Sequence, residues 1–173
     1  ETINSFCKAS ADMSESKTGA LVVFEKEAPL NDIANSGTIL DARASAELFN
    51  GIFFKNSALH DGAVIVRAGR IHSAGCILPL TQNTSLASEL GTRHRAAIGI
   101  SEQSDAVVVV VSEETGLVSV VKNGVLTRDV TNGKLREILL DEFIVKTNEN
   151  DQKGNKNFLS KLMSRKGGKK NEK

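Results

Sequence analysis

The sequence contains no tryptophan and no tyrosine, and its seven phenylalanines are the only aromatics among 173 residues. Single-strand nucleic-acid binders stack bases on aromatic platforms, so this composition argues against that class. Cysteine is scarce as well. Cys7 and Cys76 lie far apart and match no zinc or redox spacing, so they read as reduced thiols of a cytosolic protein, with Cys76 buried. No apolar run approaches the ~20 residues a membrane helix needs, and no signal-peptide pattern is present. Neither a Walker motif nor a Gly-x-Gly-x-x-Gly fingerprint occurs, which removes the familiar nucleotide folds. The chain starts at Glu1 rather than at methionine, which suggests a fragment of a longer parent.

What is present is the composition of a soluble globular protein, 40% apolar and 25% charged, with room for one domain of ordinary size plus extensions. The net charge of +1 hides an asymmetry. Residues 153–173 carry eight Lys/Arg against one Glu, or +7, which leaves −6 on residues 1–152. A mildly acidic body with a basic tail is not the charge pattern of a nucleic-acid binder.

Residues 3–13 are loosely compatible with a helix, broken at Ser14-Glu15-Ser16-Lys17. The run GALVVFE over 19–25 reads as a buried strand, and 26–37 as a connection with Pro29, Asn31, Asp32 and Gly37 as turn signals. Thr38-Ile39-Leu40 forms a short strand, after which Asp41 is expected to cap a helix over about 42–53. Two hairpins are the clearest local signals. Residues 63–67 and 70–77 flank Ala68-Gly69, and residues 117–122 and 125–129 flank Asn123-Gly124, a strong type I′ turn pair. Between them, residues 106–111 are β-branched without alternation, as a strand covered on both faces requires. Thr131 or Asn132 opens a last helix through Phe143, which divides the chain into an N-terminal helix or linker (1–14), a domain (15–147) and a tail (148–173). The tail is Asn/Lys/Gly-rich and expected to be disordered, although Phe158, Leu159, Leu162 and Met163 could form an amphipathic turn at a partner or lipid surface.

Three stretches carry candidate chemistry. In Gly91-Thr92-Arg93-His94-Arg95, Thr92 is a helix N-cap candidate ahead of the apolar Ala96, Ala97, Ile98 and Ile100. Two arginines in the first turn have the wrong sign for the helix dipole, at a cost of about 1 kcal/mol or less. A phosphate bound by the free N–H groups and guanidinium forks would reverse that cost. The plainer alternative is that the arginines are solvated or paired with carboxylates. His60-Asp61-Gly62-Ala63 is either an ordinary Asp-Gly turn or a place where a small pair lets a ligand approach the backbone. Ser112-Glu113-Glu114, at the end of the central strand, is either an acidic turn or a set of metal and hydroxyl partners at a strand's carboxyl end. His72 alternates with strand residues and reads as structural or surface. An acid, a basic helix start and a second acidic turn together suit phosphate and divalent-metal chemistry.

Four ordered blocks then resemble one family. LHDGAVI over 59–65, ILPL over 77–80, ELGTRHRAAIGISE over 89–102 and VSEETG over 111–116 are similar to the diadenylate cyclase (DAC) domain, including its Asp-Gly-Ala and Arg-His-Arg hallmarks. The likeness extends over about residues 15–145 and is nearer the membrane-associated CdaA type than the DNA-scanning DisA type, whose helix-hairpin-helix portion does not occur here. It implies an α/β fold, a single domain with a central mixed parallel/antiparallel sheet flanked by helices. It also implies condensation of two ATP into cyclic di-AMP with release of pyrophosphate, across a face-to-face homodimer.

Carried over residue by residue, the resemblance makes Asp61, Gly62, Ala63, Arg93, His94 and Arg95 the catalytic set. Leu78, Thr92, Arg93, His94, Arg95, Ser112 and Glu114 would bind ATP, Leu78 through its backbone against adenine. Asp61, His60 and Glu114 would hold Mg²⁺ or Mn²⁺. Ile77 stands where members of this subclass often carry tyrosine. The parent is expected to be tethered by upstream helices at the cytoplasmic face of the membrane, with no nucleic-acid partner. A catalytically idle module that senses ATP or a dinucleotide is the alternative. Asp61 argues against it, because phosphate binding alone would tolerate an uncharged residue there.

Overall fold

The computed structural model describes residues 1–83 and 90–145. The expectations for the tail from 148 on, and for Glu89 within the third block, lie outside these residues.

In chain order the elements are α1 (Thr2–Glu15), β1 (Ala20–Phe24), α2 (Asn31–Asn35), β2 (Thr38–Arg43), α3 (Ala46–Phe53), β3 (Ala63–Arg67) and β4 (Arg70–Cys76). There follow α4 (Thr92–Gln103), β5 (Val107–Val111), β6 (Val118–Lys122), β7 (Val125–Thr127) and α5 (Asn132–Leu140), and then a π-helical turn over Asp141–Val145. The strands make one seven-stranded sheet in the order β2-β4-β3-β1-β5-β6-β7. Only β1 and β3 pair in parallel; every other pair is antiparallel. The mixed sheet implied by the resemblance is present.

The central strands explain themselves. All five residues of β1 and of β5 are buried, because helices cover both faces of the sheet. Leu21, Val23, Ala63, Ile65, Val108 and Val110 turn one way and pack on Ala96, Ala97, Ile98 and Ile100 of α4. The alternate face receives α1 and α3. There Phe6, with no exposed surface, packs edge-to-face on Phe24 of β1 and Phe49 of α3 at centroid distances of 5.1 and 5.2 Å. Such aromatic pairs add about 0.5–1.5 kcal/mol each to their area burial. α1 is thus a packed layer of the core. It also holds α5, because Asn132 Nδ2 donates to the Cys7 carbonyl at 2.6 Å and Arg136 Nε to Asn4 Oδ1 at 3.0 Å.

Both hairpins form on the expected turns. Ala68 and Gly69 (φ 48° and 73°), like Asn123 and Gly124 (φ 50° and 73°), have the two consecutive positive φ values of a type I′ turn. The expected Asp41 cap does not form. β2 continues through Arg43, Asp41 sits at φ 44° where the β2–β4 register shifts, and its carboxylate accepts from Arg70 Nε at 2.6 Å. The helix starts later, at Ala46, capped by Ser45, whose Oγ accepts from the Leu48 N–H at 3.1 Å. Both cysteines are buried free thiols. Among the described residues no helix is long and apolar enough to cross a membrane.

Candidate active site

The antiparallel pairings bring the carboxyl ends of β4, β5 and β7 to the same end of the sheet as the starts of β1, β3 and β6. A cleft of about 870 Å³ opens there. Asp61 and Gly62 enter it from the start of β3, Ile77 and Leu78 from the end of β4, and Ser112 to Thr115 from the β5–β6 turn. Gly91 to His94, the first turn of α4, line it beside the acidic turn. Four stretches far apart in sequence, the three with candidate chemistry among them, therefore meet in one concavity.

The α4 start is open in a way its sequence did not reveal. Its N-cap is Gly91, not Thr92, which occupies the first helical position, and no side chain caps the helix. The first intrahelical bond runs from the Arg95 N–H to the Gly91 carbonyl at 3.2 Å. The preceding N–H groups lie at the cleft with the positive end of the helix dipole behind them, as anion sites require. Arg93 Nη1 bonds Glu113 Oε2 at 2.9 Å. Its guanidinium also lies over Gly19, where a Cβ would stand 2.8 Å from Nη1. Gly19 is thus part of the site's support and lies outside all four sequence blocks. His94 lines the cleft half-buried. Burial holds its pKa below the ordinary histidine value, the charge of Arg128 adds to this, and Glu114 opposes it. Arg95 does not line the cleft, and its buried Nε has no partner among the described residues.

Asp61 is exposed to the cleft, and its carboxylate makes no hydrogen bond or ion pair among the described residues. Gly62 is required by the fold itself. It sits at φ +114°, and a Cβ there would lie 2.7 Å from the Gly75 carbonyl carbon and 2.8 Å from the Cys76 carbonyl oxygen. The β4 backbone of the same chain thus approaches Gly62 closely on one side, while Gly62 also lines the cleft. Ala63 is fully buried in β3 opposite Cys76 and does not line the cleft. Nor does His60, whose Nδ1–H donates to the Ser57 carbonyl at 2.6 Å. In the neutral ring this leaves the Nε2 lone pair available, the arrangement common among metal-binding histidines.

The acidic turn is built to hold its shape. Ser112 Oγ accepts from the N–H groups of Glu114 and Thr115, both at 3.3 Å, which leaves its hydroxyl proton free for a ligand. Gly116, at φ +78°, lies against the end of α1, and Ser14 Oγ donates to its carbonyl at 2.6 Å. The β4 exit is strapped in the same way. Gly99 of α4 lets Pro79 cross the helix, Thr81 Oγ1 donates to Glu102 at 3.0 Å, and the Thr81 N–H bonds the Arg95 carbonyl at 3.1 Å. Leu78 is thereby buried against the core at the cleft floor, while Ile77 remains 71% exposed at its mouth. His72 Nε2 accepts from Arg67 Nη1 at 3.1 Å and lies outside the cleft, in keeping with its structural reading.

Among the described residues no three His, Cys, Asp or Glu side chains gather to hold a metal by themselves. Asp61 and Glu114 nonetheless give the cleft two hard oxygen donors whose carboxylates make no hydrogen bond or ion pair among the described residues. That set suits Mg²⁺ or Mn²⁺, which keep water and share ligands with substrate phosphates.

A family model described as "DisA bacterial checkpoint controller nucleotide-binding" (DAC) matches residues 7–126. The chain is 45% identical over 156 residues to the cyclic di-AMP synthase CdaA of Bacillus subtilis, covering 90% of this chain and 56% of that protein. It is 44% identical over 145 residues to a diadenylate cyclase of Listeria monocytogenes, covering 84% and 53%. It thus spans little more than half the length of these curated relatives. Among solved structures, a cysteine double mutant of DacA from Staphylococcus aureus superposes with a TM-score of 0.81 at 45% identity, over 83% of this chain and 95% of that one. A Bacillus cereus structure titled as a hypothetical membrane spanning protein gives 0.73 at 46% identity, over 76% and 64%.

Proposed function

The chain belongs to the DAC family, and from that premise we propose that it is a diadenylate cyclase, condensing two ATP into cyclic di-AMP and two pyrophosphates. One observation carries the reading: the carboxylate of Asp61, unpaired among the described residues, shares a single cleft with the uncapped, arginine-bearing start of α4.

Each ATP lies with its base toward Leu78 and its phosphates at the α4 N-terminus, where free N–H groups and Arg93 bear their charge. Arg95, behind the same turn, supports it. Asp61 orients the ribose 3′-hydroxyl and takes its proton as the oxygen attacks the α-phosphorus of the other ATP. The bond from that phosphorus to the β-phosphate's bridging oxygen breaks, and pyrophosphate leaves. Ser112 and Glu114 lie near the terminal phosphates, Ser112 offering its hydroxyl proton and Glu114 acting through the metal. Asp61 and Glu114 would hold Mg²⁺ or Mn²⁺ together with substrate phosphates and water, whereas His60, which the resemblance also offered as a ligand, lies outside the cleft. Such an ion supplies charge neutralisation at the phosphates and lowers the pKa of a bound hydroxyl.

One cleft per chain positions one ATP, whereas the product needs two in mutual attack geometry. Two copies facing each other about a two-fold axis satisfy this, so the working species is a homodimer. The parent protein is tethered at the cytoplasmic face of the membrane by segments outside this chain.

The test is incubation with ATP and Mg²⁺ or Mn²⁺, followed by chromatography, with Asp61→Asn as control. Cyclic di-AMP from the wild type and not from the control supports the reading. ATP that binds tightly and is recovered unchanged would replace it with a nucleotide-sensing module.

A further inference from the structure

Arg128 follows β7 and lines the cleft, although it lies outside every motif of the sequence and two residues beyond the matched family region. Its backbone is fixed. β7 pairs antiparallel with β6, Asp129 takes φ +53°, and the next residue, Val130, is buried with its N–H bonded to the Val118 carbonyl at 2.9 Å. The segment is thus pinned on both sides of Arg128, and its side chain is delivered to the cleft end of the sheet.

The charges there are unbalanced. Three carboxylates (Asp61, Glu113 and Glu114) and two guanidiniums (Arg93 and Arg128) line the cleft. Arg93 is already committed to Glu113 at 2.9 Å. Arg128 makes no hydrogen bond or ion pair among the described residues, so its charge is the one a polyanion can recruit without breaking a protein contact. Its field reaches His94, where Glu114 acts in the opposite sense, so the three share one end of the cleft. That is where the α4 N-terminus and the acidic turn meet. An exposed arginine is ordinarily a solvated one; here the fixed backbone and the excess of carboxylates give it a task.

We propose that Arg128 binds the terminal phosphates of ATP and selects a nucleoside triphosphate over a monophosphate. This rests on the reading of the cleft as an ATP site, and deepens it.

The experiment measures binding of 3′-deoxyATP, which cannot react, and of AMP to the full chain, its Arg128→Ala variant and its Arg128→Lys variant. The alanine variant should bind 3′-deoxyATP about 10-fold more weakly or worse, the loss expected for one charge-assisted phosphate contact. AMP binding should change by less than about 2-fold, since that ligand lacks the phosphates concerned. Lysine should restore part of the loss as a point charge without the planar fork. In turnover, the KM for ATP should rise more than kcat falls.

An alanine variant that binds 3′-deoxyATP like the wild type, or that loses both ligands equally, overturns the assignment while leaving the cyclase reading intact. A wild type that neither binds 3′-deoxyATP nor forms cyclic di-AMP overturns both.

Discussion

Arg93 Nη1, in the first turn of α4, lies 2.9 Å from Glu113 Oε2 in the β5–β6 turn. The contact ties the phosphate-facing helix start to the acidic turn at the cleft. It also decides a question the sequence left open, since crowded positive charge at a helix start would make removal of Arg93 neutral or stabilising without ligand. With Glu113 in place the opposite holds. Arg93→Ala should lower apo stability by about 0.2–1 kcal/mol, the range for a solvent-screened pair. Thermal melts of Arg93→Ala, Glu113→Gln and the double variant check this, and a non-zero coupling energy identifies the pair. Arg93→Ala should also weaken ATP binding, whereas Glu113→Gln frees the guanidinium and should weaken it far less.

Gly62 and Gly19 are both tight spots, with opposite expected outcomes. At Gly62 a Cβ meets the β4 backbone at positive φ, so Gly62→Ala should destabilise the fold by about 1–3 kcal/mol from backbone strain alone. At Gly19 the obstacle is the far end of a flexible arginine. Gly19→Ala should melt near the wild-type temperature while its KM for ATP rises. Parallel melting and kinetic measurements separate the two.

Asp61→Asn keeps shape and hydrogen-bonding capacity but removes the charge. ATP binding should survive while turnover falls about 10²-fold or more, the scale of a lost acid–base group. Turnover comparable to wild type would reduce Asp61 to a turn residue.

His94 sets a pH dependence. Its folded pKa is held below the ordinary value by burial first and by Arg128 second. The unfolded chain therefore binds the proton more readily, and apo stability should fall as pH drops from about 6.5 through the lower folded pKa. His94→Gln cannot take up this proton, so its melting temperature between pH 7 and 5 should fall less than the wild type's. Identical pH profiles would show that the ring titrates normally.

How much of this was legible in the sequence depends on how local each signal was. The Asn123-Gly124 and Ala68-Gly69 turns, the valine run of β5 and the three chemical stretches declared themselves, because turn chemistry and hydrophobic pattern act over a few residues. Ser45 displaced Asp41 as a cap because pairing with β4 carried β2 three residues further than its own sequence indicated. The purpose of Gly62 depends on the β3–β4 register, and that of Gly19 on a side chain from α4. Arg128 belongs to no motif and reaches the cleft only through the strand order. Gly91 rather than Thr92 caps α4, a choice between adjacent residues that propensity does not resolve.

The central claim, cyclic dinucleotide synthesis by two facing copies, is tested most directly by the initial rate of cyclic di-AMP formation per subunit across a dilution series. ATP and Mg²⁺ or Mn²⁺ are held saturating, and oligomeric state is measured by sedimentation at each concentration. The account predicts cyclic di-AMP and pyrophosphate in a 1:2 ratio, with a rate per subunit that rises with protein concentration and levels off as dimers saturate. A constant rate per subunit over concentrations where only monomer sediments, or ATP recovered unconverted throughout, would contradict it.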